Sequence, residues 1–208
     1  VGAGRPPGSV FNPMMLGFRR AAVSLRRLSS SGALASDLKV VTSTPGITEL
    51  VFDRPSKHNA LSTGVVDELL CHLESASSDE STRLLVFRGN GRSMCAGFDF
   101  GGIEDQTDAD LALRFLRLEM LLQAVHTSPV PTLALIQGAC FGAGADLAMA
   151  CTRRIATPAA KFRMPGLQFG VVLGTQRLAR TVGTDKARSL LETSKVFGAQ
   201  EALDCGFV

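Results

Sequence analysis

The segment LALIQGACFGAGADLAMA, residues 133–150, joins an apolar run, a glycine turn and a helical pattern. The apolar run Leu133–Ile136 predicts a buried strand, and the glycines at residues 142–144 predict a tight turn. The residues that follow predict a helix with Asp146 in its first turn. Because the first turn of a helix leaves backbone N–H groups unpaired, we expect the amides near Ala143 to stabilise an anion.

A second glycine turn lies earlier in the chain. Apolar residues 84–87 predict a strand, which runs out through glycines 89 and 91, and the segment CAGFD, residues 95–99, then turns the chain again. Two such turns, brought together, would offer two N–H donors to one oxygen. That is the arrangement of an oxyanion hole for a thioester enolate.

These turns resemble the two signature motifs of the crotonase superfamily, the enoyl-CoA hydratase/isomerase family. The resemblance rests on five stretches in the family's order, spanning roughly residues 38–208: DRP with NAL (53–55 and 59–61), CAGFD (95–99), GACFGAGADLA (138–148), FRMP (162–165) and GTQRL (174–178). A single glycine motif would be a weak indication, whereas five ordered matches are specific.

The residues and the resemblance together predict the fold. Strands at 47–52 and 84–87 alternate with helices at 63–76 and 108–125, which predicts an α/β fold with parallel pairing. The resemblance implies a crotonase-like spiral of ββα turns over residues 37–208. In the family, a further C-terminal helical region covers the acyl pocket and builds homotrimers or hexamers. That region is truncated here, so the domain is expected to be C-terminally incomplete, either as a fragment or with a partly open pocket.

The resemblance also implies roles for individual residues. The N–H groups of Phe98 and Ala143 match the two oxyanion-hole donors, and Asp146 matches the first of two catalytic carboxylates. Coenzyme A, present as part of the substrate and with no separate cofactor, is expected near the positions that match the family's nucleotide-contacting segments: Lys57, Asn59, Ala60, Ala96 and Phe100. Lys57 suits phosphate as a point charge, but a solvated lysine explains it equally well.

The sequence departs from the family at the second carboxylate, because Gly166 follows Pro165 where hydratases carry an acid. Hydration delivers hydroxide and a proton to different carbons, and each acid–base group is typically worth ~10²–10⁴-fold. A single acid, Asp146, therefore favours isomerase-type proton transfer over hydration. An acyl-CoA decarboxylase and a non-catalytic acyl-CoA-binding homologue are the alternatives.

Several acidic residues have an alternative explanation without chemistry. A carboxylate such as Asp146 in the first turn of a helix stabilises the helix dipole in any protein. We expect Asp99 to bond local backbone N–H groups and hold its turn. Solvated surface charges explain Glu104, Asp105 and Glu119, although each is a candidate replacement acid.

The first 36 residues are predicted to form a basic leader. They contain five arginines and no acid, which leaves a net charge of −2 on the remainder of a chain whose total is +3. This composition is typical of a mitochondrial transit peptide and predicts the mitochondrial matrix. A disordered basic tail, or upstream sequence never translated, would look the same, and the cytoplasm is then expected.

Composition also argues against other classes of protein. With the leader set aside no basic face is left, and Trp and Tyr are absent, so nucleic-acid binding is not expected. The apolar stretch 130–151 is interrupted by Gln137, Asp146 and glycines, which argues against a membrane span. Five scattered cysteines without a secretory signal indicate reduced thiols in a protein that is not secreted. No histidine has a metal-spaced partner, so we expect no metal site.

Overall fold

The structure, a computed structural model, describes residues 36–208; the predicted leader lies outside these residues except for Ser36. The strands are β1 (Leu38–Thr44), β2 (Ile47–Phe52), β3 (Leu84–Gly89), β4 (Thr132–Ile136), β5 (Ala139–Phe141), β6 (Arg153–Ala156), β7 (Lys161–Arg163) and β8 (Phe197–Gly198). The α-helices are α1 (Thr63–Ser78), α2 (Asp108–His126), α3 (Ala143–Ala150), α4 (Thr175–Val182), α5 (Thr184–Thr193) and α6 (Ala199–Asp204).

The strands form two sheets. A five-stranded sheet has the order β1-β2-β3-β4-β6 and is parallel from β2 onward, while β1 pairs antiparallel with β2. A three-stranded sheet has the order β5-β7-β8. Helices α1, α2 and α3 follow β2, β3 and β4 along the chain. The predicted α/β class with parallel pairing is confirmed.

The second sheet shows why the chain winds as a spiral. After each parallel strand of the large sheet, β2, β3, β4 and β6, the chain makes a short pairing in a second layer before it enters its helix. Those pairings are the bridges Leu61↔Phe98 and Cys95↔Cys140 and the parallel pair of β5 with β7. Each turn is therefore strand, short strand or bridge, and helix, which is the predicted ββα repeat.

Helix α3 lies at the centre of this arrangement. All eight of its residues are buried, and it packs against α2, α4 and β5. A helix that is apolar on every side belongs in a core. Its one charged residue is Asp146. Among residues 36–208 no helix is long and apolar enough to cross a membrane.

The predicted helix starts are confirmed, because local capping determines them. The Ser62 side chain accepts a hydrogen bond from Val65 N–H before α1, and Thr107 and Asp110 form a reciprocal capping box before α2. The helices end two residues and one residue beyond the predicted ends. The apolar face of α2 is buried only toward its C-terminus, since Leu111 and Phe115 are half-buried.

Strands β1 and β5 and all elements after α3 were not predicted from the sequence. Strands β6, β7 and β8 are four residues or fewer, too short to show a periodicity. The GTQRL stretch supported the family resemblance without predicting an element, yet its threonine, Thr175, begins α4.

We expect Gly144→Ala to destabilise the fold. A Cβ at position 144 would lie 2.6 Å from the backbone oxygen and 2.8 Å from the Cβ of Cys95. Overpacking of this kind typically costs ~1–3 kcal/mol. Gly64→Ala is the matched control, since Gly64 is also the second residue of a helix and has nothing within 4 Å of its Cβ position. Alanine there should be neutral or stabilising by up to ~1 kcal/mol. Urea unfolding of both variants tests the difference, and equal midpoints would contradict it.

Candidate active site

A cavity that is partly open to solvent lies beside the start of α3. Five of the predicted site residues line it: Ala96, Phe98, Phe100, Ala143 and Asp146. Most other lining residues are apolar and come from α2 and from the segment that leads into α4. The fold therefore brings the two glycine turns and the predicted acid to one place.

The two glycine turns are joined by backbone hydrogen bonds. The Cys95 N–H donates to the Ala139 oxygen (3.2 Å), and the Phe141 N–H donates to the Cys95 oxygen (3.0 Å). A Cβ on Gly97 would lie 2.7 Å from the Phe141 oxygen and 3.3 Å from the Ala143 nitrogen. Close contact between the turns thus needs a glycine at position 97.

Two backbone amides at this contact have no acceptor among the described residues: Phe98 N–H and Ala143 N–H. Their neighbours are used, since Asp99 N–H donates to the Leu61 oxygen (3.1 Å) and Gly142 N–H donates to the Arg163 oxygen (2.9 Å). Ala143 is the first residue of α3, so its amide has no partner within the helix. Both residues line the cavity, which leaves two donors for a ligand oxygen.

Asp146 is the acid of this cavity. It lies in the first turn of α3 and is 8% exposed, and its Oδ1 has no hydrogen-bond partner among residues 36–208. Gly174, which precedes α4, packs so closely that a Cβ there would overlap Oδ1. The Asp146 carboxylate fits here because residue 174 is a glycine and has no side chain.

Burial raises the pKa of Asp146 to about 7, because the charged form loses its hydration. The Arg177 guanidinium opposes this rise, and the Glu119 carboxylate adds to it. A group with that pKa can both take and return a proton near neutral pH. Arg177 and Glu119 form a two-pronged ion pair with N–O distances of 3.0 and 2.8 Å.

Gly166 lines the cavity and begins a short 3-10 helix, Gly166–Phe169. A Cβ at position 166 would collide with the Val171 carbonyl oxygen, and Val171 N–H donates to the Gly166 oxygen (3.0 Å). A glutamate at this position would therefore require the backbone of this segment to move. Among the residues that line the cavity, Asp146 is the one acid.

The predicted coenzyme A residues divide into two groups. Ala96 and Phe100 line the cavity, whereas Lys57, Asn59 and Ala60 do not. Lys57 is exposed, and its segment runs beside the first glycine turn, where Ala96 N–H donates to the His58 oxygen (2.9 Å). These positions form an edge beside the cavity rather than part of its wall.

The side chain of Asn59 is used within the protein and is not free for a ligand. It is 1% exposed and makes three hydrogen bonds to the backbone. Its oxygen accepts from Arg54 N–H (2.9 Å), and its amide donates to the Asn90 and Ser93 oxygens (2.9 and 2.8 Å). Asn59 thus holds the loop that the motif match assigned to coenzyme A.

Asp99 holds its turn as predicted. Its carboxylate accepts hydrogen bonds from Gly101 N–H (2.9 Å) and Arg54 (2.7 Å). Partial burial raises the pKa of Asp99, but the hydrogen bonds from these two partners lower it by more. The pKa of Asp99 therefore lies below its usual value. Of the candidate replacement acids, Glu104 and Asp105 are exposed. Glu119 differs from a freely solvated charge, since Arg177 holds it.

The two cysteines beside the glycine turns, Cys95 and Cys140, do not line the cavity. Burial raises the pKa of the Cys95 thiol to about 12, and Cys140 is likewise buried, as expected for small core residues. Within residues 36–208 no group of three or more His, Cys, Asp or Glu side chains could hold a metal ion.

Sequence reasoning missed the aromatic wall of the cavity. The Phe98 ring stacks on Phe115 with centroids 4.6 Å apart, and Phe100 lies 5.1 Å from Phe98 and 5.2 Å from Phe169. The guanidinium of Arg114 lies 4.3 Å from the Phe98 ring centroid. Phe115 lies on the apolar face of α2, and apolar spacing along a helix does not distinguish a cavity wall from a core position.

Comparison with known proteins gives a consistent result. The family model described as Enoyl-CoA hydratase/isomerase matches residues 42–208. A Bacillus subtilis protein named "Probable enoyl-CoA hydratase" is 38% identical over 156 residues, covering 72% of this chain and 60% of its own length. A Mus musculus protein named "Enoyl-CoA hydratase domain-containing protein 2, mitochondrial" is 35% identical over 167 residues, covering 78% of this chain and 56% of its own length.

A solved structure agrees. The crystal structure of a Bordetella parapertussis protein, described as a "putative enoyl-CoA hydratase/isomerase", superposes with a TM-score of 0.80 at 48% sequence identity. The match covers 83% of this chain and 71% of that one. The chain thus spans about 60% of the length of the first curated relatives it matches.

The raised pKa of Asp146 makes a prediction about stability. The folded chain binds this proton more tightly than the unfolded chain, whose carboxyl titrates near 3.8. The stability it contributes is therefore full below about pH 4 and is lost as pH rises through about 7. As pH rises from 5 to 8, the wild type should lose ~2–3 kcal/mol of its free energy of unfolding through this group. Asp146→Asn has no proton to lose there and should not show this loss. Urea unfolding of both proteins from pH 5 to pH 8 measures the difference. If the two free energies of unfolding changed with pH in parallel, burial would not be raising the pKa of Asp146.

Proposed function

Because the chain belongs to the enoyl-CoA hydratase/isomerase family, we propose that it is an enzyme that moves a proton on an acyl-CoA thioester, with isomerase-type transfer favoured over hydration. One observation carries the proposal: two unpaired amides, Phe98 N–H and Ala143 N–H, share an apolar cavity with the buried acid Asp146. Coenzyme A enters as part of the substrate.

The proposed chemistry needs no group beyond these. The thioester oxygen accepts hydrogen bonds from the two amides, which stabilise negative charge as it develops there. The Asp146 carboxylate takes a proton from the α-carbon, and the electron pair of that C–H bond moves onto the thioester oxygen as an enolate. In a 3-enoyl thioester the protonated Asp146 then returns the proton to the γ-carbon. The double bond moves from β,γ to α,β, and nothing is consumed.

The composition of the cavity wall supports isomerisation over hydration. Hydration is best served by two carboxyl groups, and the wall contributes one, Asp146, with Gly166 at the other position. The missing group is typically worth ~10²–10⁴-fold in rate. The rest of the wall is apolar, which suits a hydrocarbon acyl chain.

Three further parts of the proposal concern location and partners. Lys57, exposed beside the cavity, is proposed to contact a phosphate of coenzyme A. A mitochondrial location is supported by the acid-free basic leader and by a relative whose name contains "mitochondrial", although other relatives are bacterial. Assembly as a homotrimer or hexamer stays a prediction, which analytical ultracentrifugation would test.

Proton exchange in heavy water tests the reaction. We expect the protein to convert 3-hexenoyl-CoA to 2-hexenoyl-CoA and to wash deuterium into its product, while crotonyl-CoA is hydrated slowly. Asp146→Asn keeps the shape of the side chain but cannot take a proton, so exchange should fall by ~10²–10⁴-fold. Mass spectrometry of the thioesters measures both reactions. Binding without exchange would indicate a non-catalytic acyl-CoA-binding protein, and carbon dioxide release from a malonyl-type thioester would indicate a decarboxylase.

A backbone substitution tests the oxyanion hole. Ala143→Pro removes one N–H at the first position of α3, where proline fits a helix, and should reduce exchange by ~10²–10³-fold. Ala143→Gly is the matched control, because it keeps the amide and removes only the methyl group. A folded proline variant with the wild-type rate would remove this amide from the proposal.

A further inference from the structure

A charged pair joins α4 to α2, two helices that pack against α3, and it lies outside the cavity wall. Arg177, from α4, donates through both terminal nitrogens to the Glu119 carboxylate of α2. The Arg177 side chain is 10% exposed and the Glu119 side chain 36%. Neither residue lines the cavity, so neither is placed to touch a substrate there.

Two atoms of this group lack a hydrogen-bond partner within the described chain: Asp146 Oδ1 and Arg177 Nε. Buried polar atoms are usually paired, so two orphans in one cluster call for an explanation. Gly174 packs against Asp146 Oδ1 one turn before Arg177. The start of α4 therefore carries both the close contact with the acid and the nearby positive charge.

An isolated carboxylate in an apolar cavity would stay protonated, because burial strongly disfavours its charge. A nearby guanidinium favours the charged form. A guanidinium already paired with a carboxylate favours it less, because the two partners oppose each other. The pair carries no net charge, so its effect on the charged form of Asp146 is the difference between two opposed effects.

We infer that Arg177 and Glu119 are positioning residues for Asp146: Arg177 lets the carboxylate form inside the cavity, and Glu119 limits how strongly Arg177 favours that charged form. The inference rests on the proposed function for its catalytic meaning. Its physical content, the control of one proton by one ion pair, can be measured without a substrate.

The groups that face Asp146 from each packed element are few. Glu119 comes from α2, Arg177 from α4 and Cys140 from β5. Burial raises the pKa of the Cys140 thiol well above its usual value, so this group stays neutral. Arg177 lowers the pKa of Asp146 and Glu119 raises it, as the arrangement of charges requires. The two residues should therefore have opposite effects when each is removed.

Titration of Asp146 in the free protein tests the inference. The chain is labelled with 13C at the aspartate carboxyls, and the signal of Asp146 is identified by its loss in Asp146→Asn. Glu119→Gln keeps the shape of the side chain and an oxygen for Arg177, but removes the negative charge. Arg177→Met removes the positive charge and keeps the length of the stem. The matched control is Asp67→Asn, which breaks another ion pair of α2, Asp67 with Arg117 at 2.6 Å.

We expect the midpoint of Asp146 to fall by about one pH unit in Glu119→Gln and to rise by a similar amount in Arg177→Met, the scale that neighbouring charges produce. The double variant should return toward wild type, and Asp67→Asn should leave the midpoint unchanged. The acid limb of the proton-exchange rate should move in the same directions. Shifts of the same sign, or no shift in Glu119→Gln, would overturn the inference.

The two proposals fail in distinguishable ways. Opposite shifts of the midpoint in a protein that exchanges no acyl-CoA proton would support the ion pair's role and overturn the proposed reaction. The opposite result is acyl-CoA proton exchange that depends on Asp146, with a titration midpoint of Asp146 that is the same in wild type and in the Glu119 and Arg177 variants. That result would support the reaction and overturn the ion pair's role. If Arg177→Met does not fold, the fall in Glu119→Gln alone decides the question.

Discussion

The contact between two backbone turns is the constraint on which the site depends. Cys95 and its neighbours pair with β5 through backbone hydrogen bonds, and the close approach is possible only because Gly97 and Gly144 carry no side chain. A backbone pairing of this kind fixes the relative position of two amides more firmly than any side chain could, since each amide belongs to a turn that is itself bonded on both sides. A preorganised pair of donors loses little energy in reorientation when charge develops.

The burial of Asp146 follows from the same packing. Because α3 is enclosed on every side, the acid in its first turn loses water and stays within reach of the cavity. The fold therefore accepts an energetically unfavourable group where neutral packing would be more stable, which is typical of functional positions rather than structural ones. Asp99 shows the contrast: it lies in the other glycine turn, residues 95–99, accepts hydrogen bonds from Gly101 N–H and Arg54, and has a lowered rather than a raised pKa.

Sequence reasoning recovered the parts that local chemistry determines. The starts of α1 and α2 follow from their capping residues, and the two glycine turns and Asp146 follow from a motif whose glycines are needed for close contact. It did not recover the partners that only the fold brings together. Glu119 and Arg177 are 58 residues apart in the chain, and neither carries a local signal of its neighbour. For Asn59, likewise, nothing in its own segment shows that the backbone oxygens of Asn90 and Ser93 accept hydrogen bonds from its side-chain amide.

The same reasoning changes the meaning of Gly166. From the sequence alone, a glycine stands at position 166 where hydratases carry an acid, and a single substitution would restore that acid. In the structure, the segment between Gly166 and Gly174 is folded so that the Val171 carbonyl occupies the place of a side chain at position 166. The missing acid is therefore a property of the whole segment, not of one residue. A second carboxylate would need a different path for this loop, and the loop's present path is also what brings Gly174 against Asp146. At position 166, therefore, the backbone of this segment and not only the identity of one residue keeps an acidic side chain out of the cavity.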